Sequence, residues 1–391
     1  MEIPKSIFTI PPLFFITSAY ILGICGQYTG YHLTLAPFFV GSSLIIIYLI
    51  YKYRPAYPSI ILFLLTFAAY PLGSFLLHRQ KKEAVQFYNA VDKKQFDIEG
   101  TIADISYIDN NLFNAIITLE SVSLKERSYL ETSWHQYAQK IQIYTHRPKN
   151  IYVADQIELR GIKISRPLST SYQHYLLKEG ICATIFTQKN KIQLMSRPAY
   201  SINRSIAMYR DAVCGALERK MSASGFSVFC PLFLGKRNIG KKETMQRNTE
   251  LFTTWGITHY LARSGLHLIV LITLWLFVFN CLPISFNKKQ WLLVSASIIY
   301  FLLSWSSIPF YRALATLIFH RLCLLFRLQS NFLHLLILTC FSILLLNPIQ
   351  FFFLDFQLSF GLTFALACFS HINGYKKINI AKQLHLQRKL F

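Results

Sequence analysis

His259, Arg263 and His267 recur every fourth residue in the stretch THYLARSGLHLIVLITLW. On a helix each such step turns by about 40°, so the three side chains form one narrow stripe at the mouth of an apolar run. An arginine at the centre of a bilayer costs roughly 2.5–3.5 kcal/mol unless it meets water, a carboxylate or headgroups. Two readings follow: Arg263 snorkels to the headgroups, or the stripe lines a water-filled path. Ser264 belongs to the same candidate path, although with Gly265 it also suits close helix packing. Further polar residues fall in later apolar runs, Arg312 after Pro309 and then Asp355, Gln357 and Ser359 in LDFQLSF. Asp355 is the only acidic residue from Trp291 to Ile372, and a buried carboxylate needs a partner. Arg263 or Arg312 is expected to supply it. Arginines, histidines and hydroxyls along a wall suit the passage of a phosphate-bearing polymer, which rings of carboxylates would oppose.

These residues need a scaffold, and composition indicates its kind. The chain has 391 residues, 53% hydrophobic and 15% aromatic, yet carries a formal net charge of +22. A soluble enzyme rarely combines these values, so a polytopic α-helical membrane protein is expected, with anionic lipid or an anionic polymer as neighbour. A spanning helix needs about 20 apolar residues. Candidates are Pro11–Tyr28, Leu33–Tyr51, Pro58–Leu77, Trp255–Leu282, Trp291–Ser307, Phe310–Phe326, Phe332–Phe352 and Phe356–Ile372, about eight in all. The first reads as a membrane helix, with no cleavable signal evident.

Between the third and fourth spans the polarity rises. In FDIEGTIADISYI, Phe96, Ile98, Gly100 and Ile102 face one way and Asp97, Glu99 and Thr101 the other, as in a half-buried strand. Similar runs follow at AIITLESV, KIQIYT, QIELRGIKI and ATIFTQKNKIQL, so about five strands are expected to form a small β-barrel. From Ser201 to Lys220 the period becomes helical, with Ile202, Ile206, Tyr209, Val213, Ala216 and Leu217 opposite arginines, the pattern of an interfacial helix. FSVFCPLFLG is too short to span and reads as re-entrant or interfacial.

Short-loop charges set an orientation. With the N-terminus cytoplasmic, Lys52, Arg54, Lys288, Lys289, Arg321, Arg327 and the basic tail lie inside, and the loops near Tyr31, Ser306 and Asn347 carry no lysine or arginine. The insert then lies outside. So do Lys236, Arg237, Lys241 and Lys242, a cluster that could gather an anionic strand. The expected divisions are 1–77 (three spans), 78–198 (extracytoplasmic barrel-like insert), 199–254 (amphipathic helix and linker), 255–372 (about five spans) and 373–391 (basic cytoplasmic tail).

The eight cysteines form no CxxC pair, and His135, His146 and His174 lack metal-ligand spacing, so no metal and no cofactor is expected. A disulfide between Cys214 and Cys230 is an alternative to free thiols. Within the insert, Tyr107, Phe113, Tyr129, Trp134, Tyr137 and Tyr144 are available for base stacking, beside the plainer reading of core packing.

The string from FLGKR to GITHYLARSGLH resembles the central signature of the ComEC-type competence protein family, with Gly256, Ile257, His259, Leu261, Ala262, Ser264, Gly265, Leu266 and His267 matching. IPFYRALATLIF looks like the family's Arg-Ala helix. Asn347, Pro348, Phe356, Gln357, Leu358, Ser359 and Phe360 match its Asn-Pro to Phe-Gln-Leu-Ser-Phe block, and YVADQIELRGIKISRP with HYLLKEGICATI is similar to the end of its N-terminal domain. Arg263 stands where the family usually has Ile, and Asp355 where it has Gly.

The resemblance implies an oligonucleotide-binding-like barrel and an incomplete competence-type membrane domain over 255–372. It implies passage of single-stranded DNA across the cytoplasmic membrane. Implied partners are that DNA, membrane lipids, other competence proteins, a separate helicase or ATPase and separately encoded missing domains, with the oligomeric state open. No HxHxDH cluster is present, so a metallo-β-lactamase-like domain is not expected in this chain. Alternatives are a small-anion transporter, a truncated member without transport activity and, ranked lowest, a histidine-based membrane enzyme.

Overall fold

The computed structural model describes residues 12–30, 58–91, 95–107, 113, 115–126, 135–137, 140–146, 150–164, 170–187, 191–235, 242–256, 265–305, 308–328 and 331–370. In chain order the elements are α1 (Pro12–Thr29), α2 (Pro58–Val91), β1 (Gln95–Tyr107), β2 (Ala115–Glu126), β3 (His135–Tyr137), β4 (Lys140–Thr145) and β5 (Gln156–Lys163). Then come α3 (Thr170–Lys178), β6 (Ile181–Phe186), β7 (Ile192–Ser196), α4 (Ile202–Lys220), α5 (Ala223–Phe229) and α6 (Lys242–Thr254). The chain goes on through α7 (Gly265–Asn280), α8 (Phe286–Leu303), α9 (Ile308–Leu325), α10 (Phe332–Leu346) and α11 (Leu354–Ser370). Two compact units result, one of Met1–His78, Trp275–Val294 and Ile308–Phe391, the other of Arg79–Leu274 and Ser295–Ser307.

The first unit is helical, and its helices fall on the apolar runs. The expected span at Leu33–Tyr51 lies outside the described residues. Among those described, Ile308–Leu325 is long and apolar enough to cross a membrane, and His267–Asn280, Phe332–Leu346 and Leu354–Ser370 are shorter apolar helices. α1 and α2 meet backbone to backbone: a Cβ on Gly23 would collide with the Tyr70 carbonyl, and one on Gly73 with the Tyr20 carbonyl. Small residues allow this approach where lipid offers no hydrophobic drive for association. Tyr20 in turn donates its hydroxyl to the Leu344 carbonyl of α10 at 3.0 Å and packs edge-on against Phe341. Tyr28 stacks on Phe352 at 3.9 Å, and Phe14 on Phe364 at 6.2 Å. These rings tie α1 to the segment that carries Asp355, Gln357 and Ser359.

The second unit is built on a seven-stranded sheet in the order β6-β4-β2-β1-β5-β7, with β3 also paired to β2. Alternation works as the sequence implies: in β4, Ile141, Ile143 and Thr145 are buried, and Lys140, Gln142 and Tyr144 only partly so. Ile98, Ile102, Ile117, Leu119, Ile157, Leu159 and Ile185 complete the core, with Phe87 of α2 packed among them. Bulges near Gly100 bend β1, and the absent side chain there leaves room for Leu119.

Two expectations need correcting. ATIFTQKNKIQL divides into β6 and β7, and α3, a helix the alternating pattern concealed, precedes them. The sheet of the described residues is open rather than a closed barrel. β6 joins β4 in parallel on one side and β7 joins β5 on the other, so each end strand has one neighbour, whereas closure needs a ladder between them. The largely exposed side chains of β7 fit an edge.

Candidate functional site

Arg312 lies in the first turns of α9, just after Pro309, so its side chain reaches a neighbouring helix rather than solvent. Its Nη1 donates to the Ser359 carbonyl and to the Thr363 hydroxyl of α11, and its guanidinium sits 5.9 Å from the Phe360 ring. Thr363 also donates to the Ser359 carbonyl at 2.7 Å. All the acceptors are neutral. An ionised group held by neutral dipoles keeps its net charge, while one in an ion pair does not. Arg321 repeats the arrangement, its Nη1 donating to the Gln290 side-chain oxygen at 3.0 Å.

The other expected residues that are described make contacts of their own. Asp355 stands at the start of α11 and accepts the Phe356 backbone N–H at 3.0 Å, a favourable place for a carboxylate on a helix dipole. The ion pair considered between Arg312 and Asp355 does not form, because Arg312 is engaged one and two turns further along. Gln357 donates to the Phe351 carbonyl at 3.0 Å and lines a cavity of about 350 Å3 with Phe14, Thr17, Ser18, Cys340 and Phe360. The Ser359 hydroxyl is buried with no hydrogen-bond partner. His267 belongs to the second unit, where its ring meets Phe233 edge-on at 5.7 Å.

His259, Arg263 and Ser264 lie outside the described residues, and with them the proposed Arg263–Asp355 pair. Lys236, Arg237 and Lys241 do as well, while Lys242 opens α6. Thr363 completes the Arg312 site without having been singled out from the sequence, and Phe360, named there only as part of a family block, joins it. The signal available for Thr363 was spacing: it lies one turn beyond Ser359, on a face about 100° round the helix from the exposed leucines of α11.

In the second unit the arginines meet carboxylates. The fully buried Asp155 side chain receives Arg197 at 3.2 Å, Arg204 at 3.3 Å and the Tyr152 backbone N–H at 3.0 Å. Both guanidiniums also lie over the Tyr152 ring, at 5.3 and 5.4 Å. One and a half turns along α4, Arg210 pairs with Asp104 at 3.3 Å and lies 4.0 Å over Trp305. The helix is started by Ser201, whose hydroxyl accepts the Arg204 backbone N–H at 3.4 Å. Arg204 and Arg210 thus turn toward the sheet, while Ile202, Met208 and Tyr209 stay exposed, which corrects the simple two-faced pattern expected for α4. Cys214 and Cys230 are both buried in one small apolar cluster with Phe226 and Leu234, and no disulfide joins them.

Among the described residues no three histidine, cysteine or acidic side chains gather in a metal-binding arrangement. No curated protein and no solved structure matches the chain. The model of a family described as Competence protein does match, over residues 233–389, a range that contains α7 to α11 and the Arg312 site. From Phe233 to residue 389, therefore, the sequence is similar to the Competence protein family, in keeping with the ComEC-type resemblance of its motifs.

Proposed function

We propose that this chain is an integral membrane component of the DNA-uptake machinery, forming or contributing to a channel that passes single-stranded DNA across the cytoplasmic membrane during natural transformation. The observation that carries the reading is the match to the Competence protein family over the helices that hold Arg312. Arg312 and Arg321, hydrogen-bonded to neutral oxygens, supply positive charge among helices without cancelling it, as a path for phosphates requires. His259, Arg263, Ser264, His267, Asp355, Gln357 and Ser359 are the remaining residues of the proposed path, with Lys236, Arg237, Lys241 and Lys242 gathering the strand outside.

A membrane setting is supported by α11, where Leu354, Leu358, Leu362 and Leu366 recur every fourth residue and are 59–66% exposed. Such a stripe is unfavourable in water and suits lipid. On this reading the chain crosses several times, both termini are cytoplasmic and the sheet unit is extracytoplasmic, as a curved oligonucleotide-binding-like platform. A small-anion transporter would use the same arginines and is the competing reading.

Deletion of the gene should abolish transformation by added DNA, and the intact chain should restore it. Undiminished transformation in the deletion strain, with impaired uptake of a small anion, would replace the first reading with the second.

A further inference from the structure

A guanidinium carries its N–H donors on three nitrogens, and in Arg312 both hydrogens of Nη1 are spent, one on the Ser359 carbonyl and one on the Thr363 hydroxyl. Nε and Nη2 donate to no oxygen among the described residues. Together they form the side edge of the group, which can grip two oxygens of one anion at once. Elsewhere in the chain that edge is used so. Arg160 holds the Glu158 carboxylate through Nε and Nη2, both at 2.9 Å, and Arg197 holds that of Asp155 through the same two atoms, both at 3.2 Å. At Arg312 the fork has no protein carboxylate.

The fork is held at both ends of the side chain. Thr363 gives its one hydroxyl hydrogen to the Ser359 carbonyl at 2.7 Å, so only its lone pairs face Arg312 and it acts as a fixed acceptor. The guanidinium carbon lies over the Phe360 ring at 5.9 Å. At the backbone end, Thr316 donates to the Arg312 carbonyl at 2.8 Å and meets the Thr339 hydroxyl of α10 at 3.2 Å. Arg312 is thus tied to α10 through its backbone and to α11 through Nη1, which fixes the direction of the remaining edge. The Ser359 hydroxyl, buried with no hydrogen-bond partner, supplies a further donor on the residue whose carbonyl Nη1 holds.

Asp355, the only acidic residue from Trp291 to Ile372, accepts the Phe356 backbone N–H at the start of α11 and forms no ion pair with Arg312. The partner of the fork is therefore external. A spherical anion would use its charge alone, whereas a phosphodiester sets two oxygens at the spacing of the fork and one negative charge against one positive. We propose that Arg312 grips one phosphodiester at a time through Nε and Nη2, with Thr363 as the residue that positions it. The inference rests on the uptake reading for the source of the phosphodiester, and adds that the path recognises the shape of the linkage and not charge alone. Since phosphate contacts carry no base information, the grip is indifferent to sequence.

The test keeps the charge and removes the shape. Arg312→Lys retains the positive charge without the fork. In a deletion strain, at equal amounts of membrane-inserted protein, it should transform about ten-fold or more below wild type. Thr363→Val should fall with it, and Thr363→Ser, which keeps the hydroxyl, should stay near wild type. On the purified full chain in phospholipid-free maltoside micelles, oligothymidine should shield Arg312 from phenylglyoxal, read by mass spectrometry of its peptide. An oligothymidine with an uncharged methylphosphonate backbone should not. Full transformation by Arg312→Lys, or no shielding by oligothymidine, would overturn the proposal. Shielding by phosphatidylglycerol and not by oligothymidine would overturn it in favour of a lipid headgroup. Normal transformation in the deletion strain would overturn the uptake reading alone, because shielding is measured on the purified chain.

Discussion

The two units of this molecule treat arginine in opposite ways. In the sheet unit Arg197, Arg204 and Arg210 each meet an aspartate, so positive charge is cancelled where it is partly buried. In the helical unit Arg312 and Arg321 meet a carbonyl, a hydroxyl and an amide. The first arrangement holds elements together, because α4 is pinned to the sheet through Asp155 and Asp104. The second leaves the charge unneutralised, held by neutral dipoles and, for Arg312, the Phe360 ring. Similar side chains thus support architecture in one place and a candidate path in the other, and what decides between the roles is the acceptor.

The sharpest way to break this contrast is to give Arg312 an acid. Thr363→Asp should leave the protein folded and inserted, since an ion pair replaces a hydrogen bond from the charged guanidinium to a neutral hydroxyl, yet should lower transformation by orders of magnitude. Transformation that persists in that variant would remove Arg312 from the path. The reverse experiment is Asp155→Ala, which leaves two arginines facing each other at a buried position. Breaking such a pair costs about 3–5 kcal/mol, with the lower end expected because Arg197 is 40% exposed. Thermal unfolding followed by the far-ultraviolet signal of the sheet should shift accordingly, and a shift within error would mean that α4 is held by something else.

The smallest effect concerns Cys182 in the core of the sheet. Burial, with a further contribution from Glu83, pushes its thiol up to about 12. The folded thiol therefore keeps its proton at pH 8, and an alkylating reagent should spare it while labelling the exposed Cys281. Because the folded value is raised, the associated stability is complete below the ordinary thiol range near 8.5 and is lost as pH rises toward 12. Asp155→Ala should make Cys182 reactive at pH 8 if the sheet opens with loss of the clamp.

The sequence made some of these features legible and hid others for physical reasons. The helices from α7 to α11 could be placed because long apolar runs need no knowledge of their neighbours, and strand alternation revealed β1, β2 and β4. α3 escaped because it is a single short amphipathic piece inside a strand-rich region. Neither the partners of Arg204 and Arg210 nor that of Arg312 could be read, since Asp155 lies 49 residues from Arg204, Asp104 lies 106 from Arg210, and Thr363 lies 51 from Arg312. An acidic partner was the natural expectation for Arg312; a helix carbonyl flanked by a threonine leaves no pattern to find. Closure of the sheet was equally out of reach, because it depends on which edges pair and not on any strand's own alternation.

The backbone contact of α1 with α2 at Gly23 and Gly73 bears on how the helical unit can move. With no side chains between the two helices there is nothing to repack, so sliding or hinging at that seam meets hard collision. The pair behaves as a single rigid strut. On the proposed uptake reading, an opening for DNA would fall where side chains mediate the contact, as at the Arg312 junction of α9 with α11.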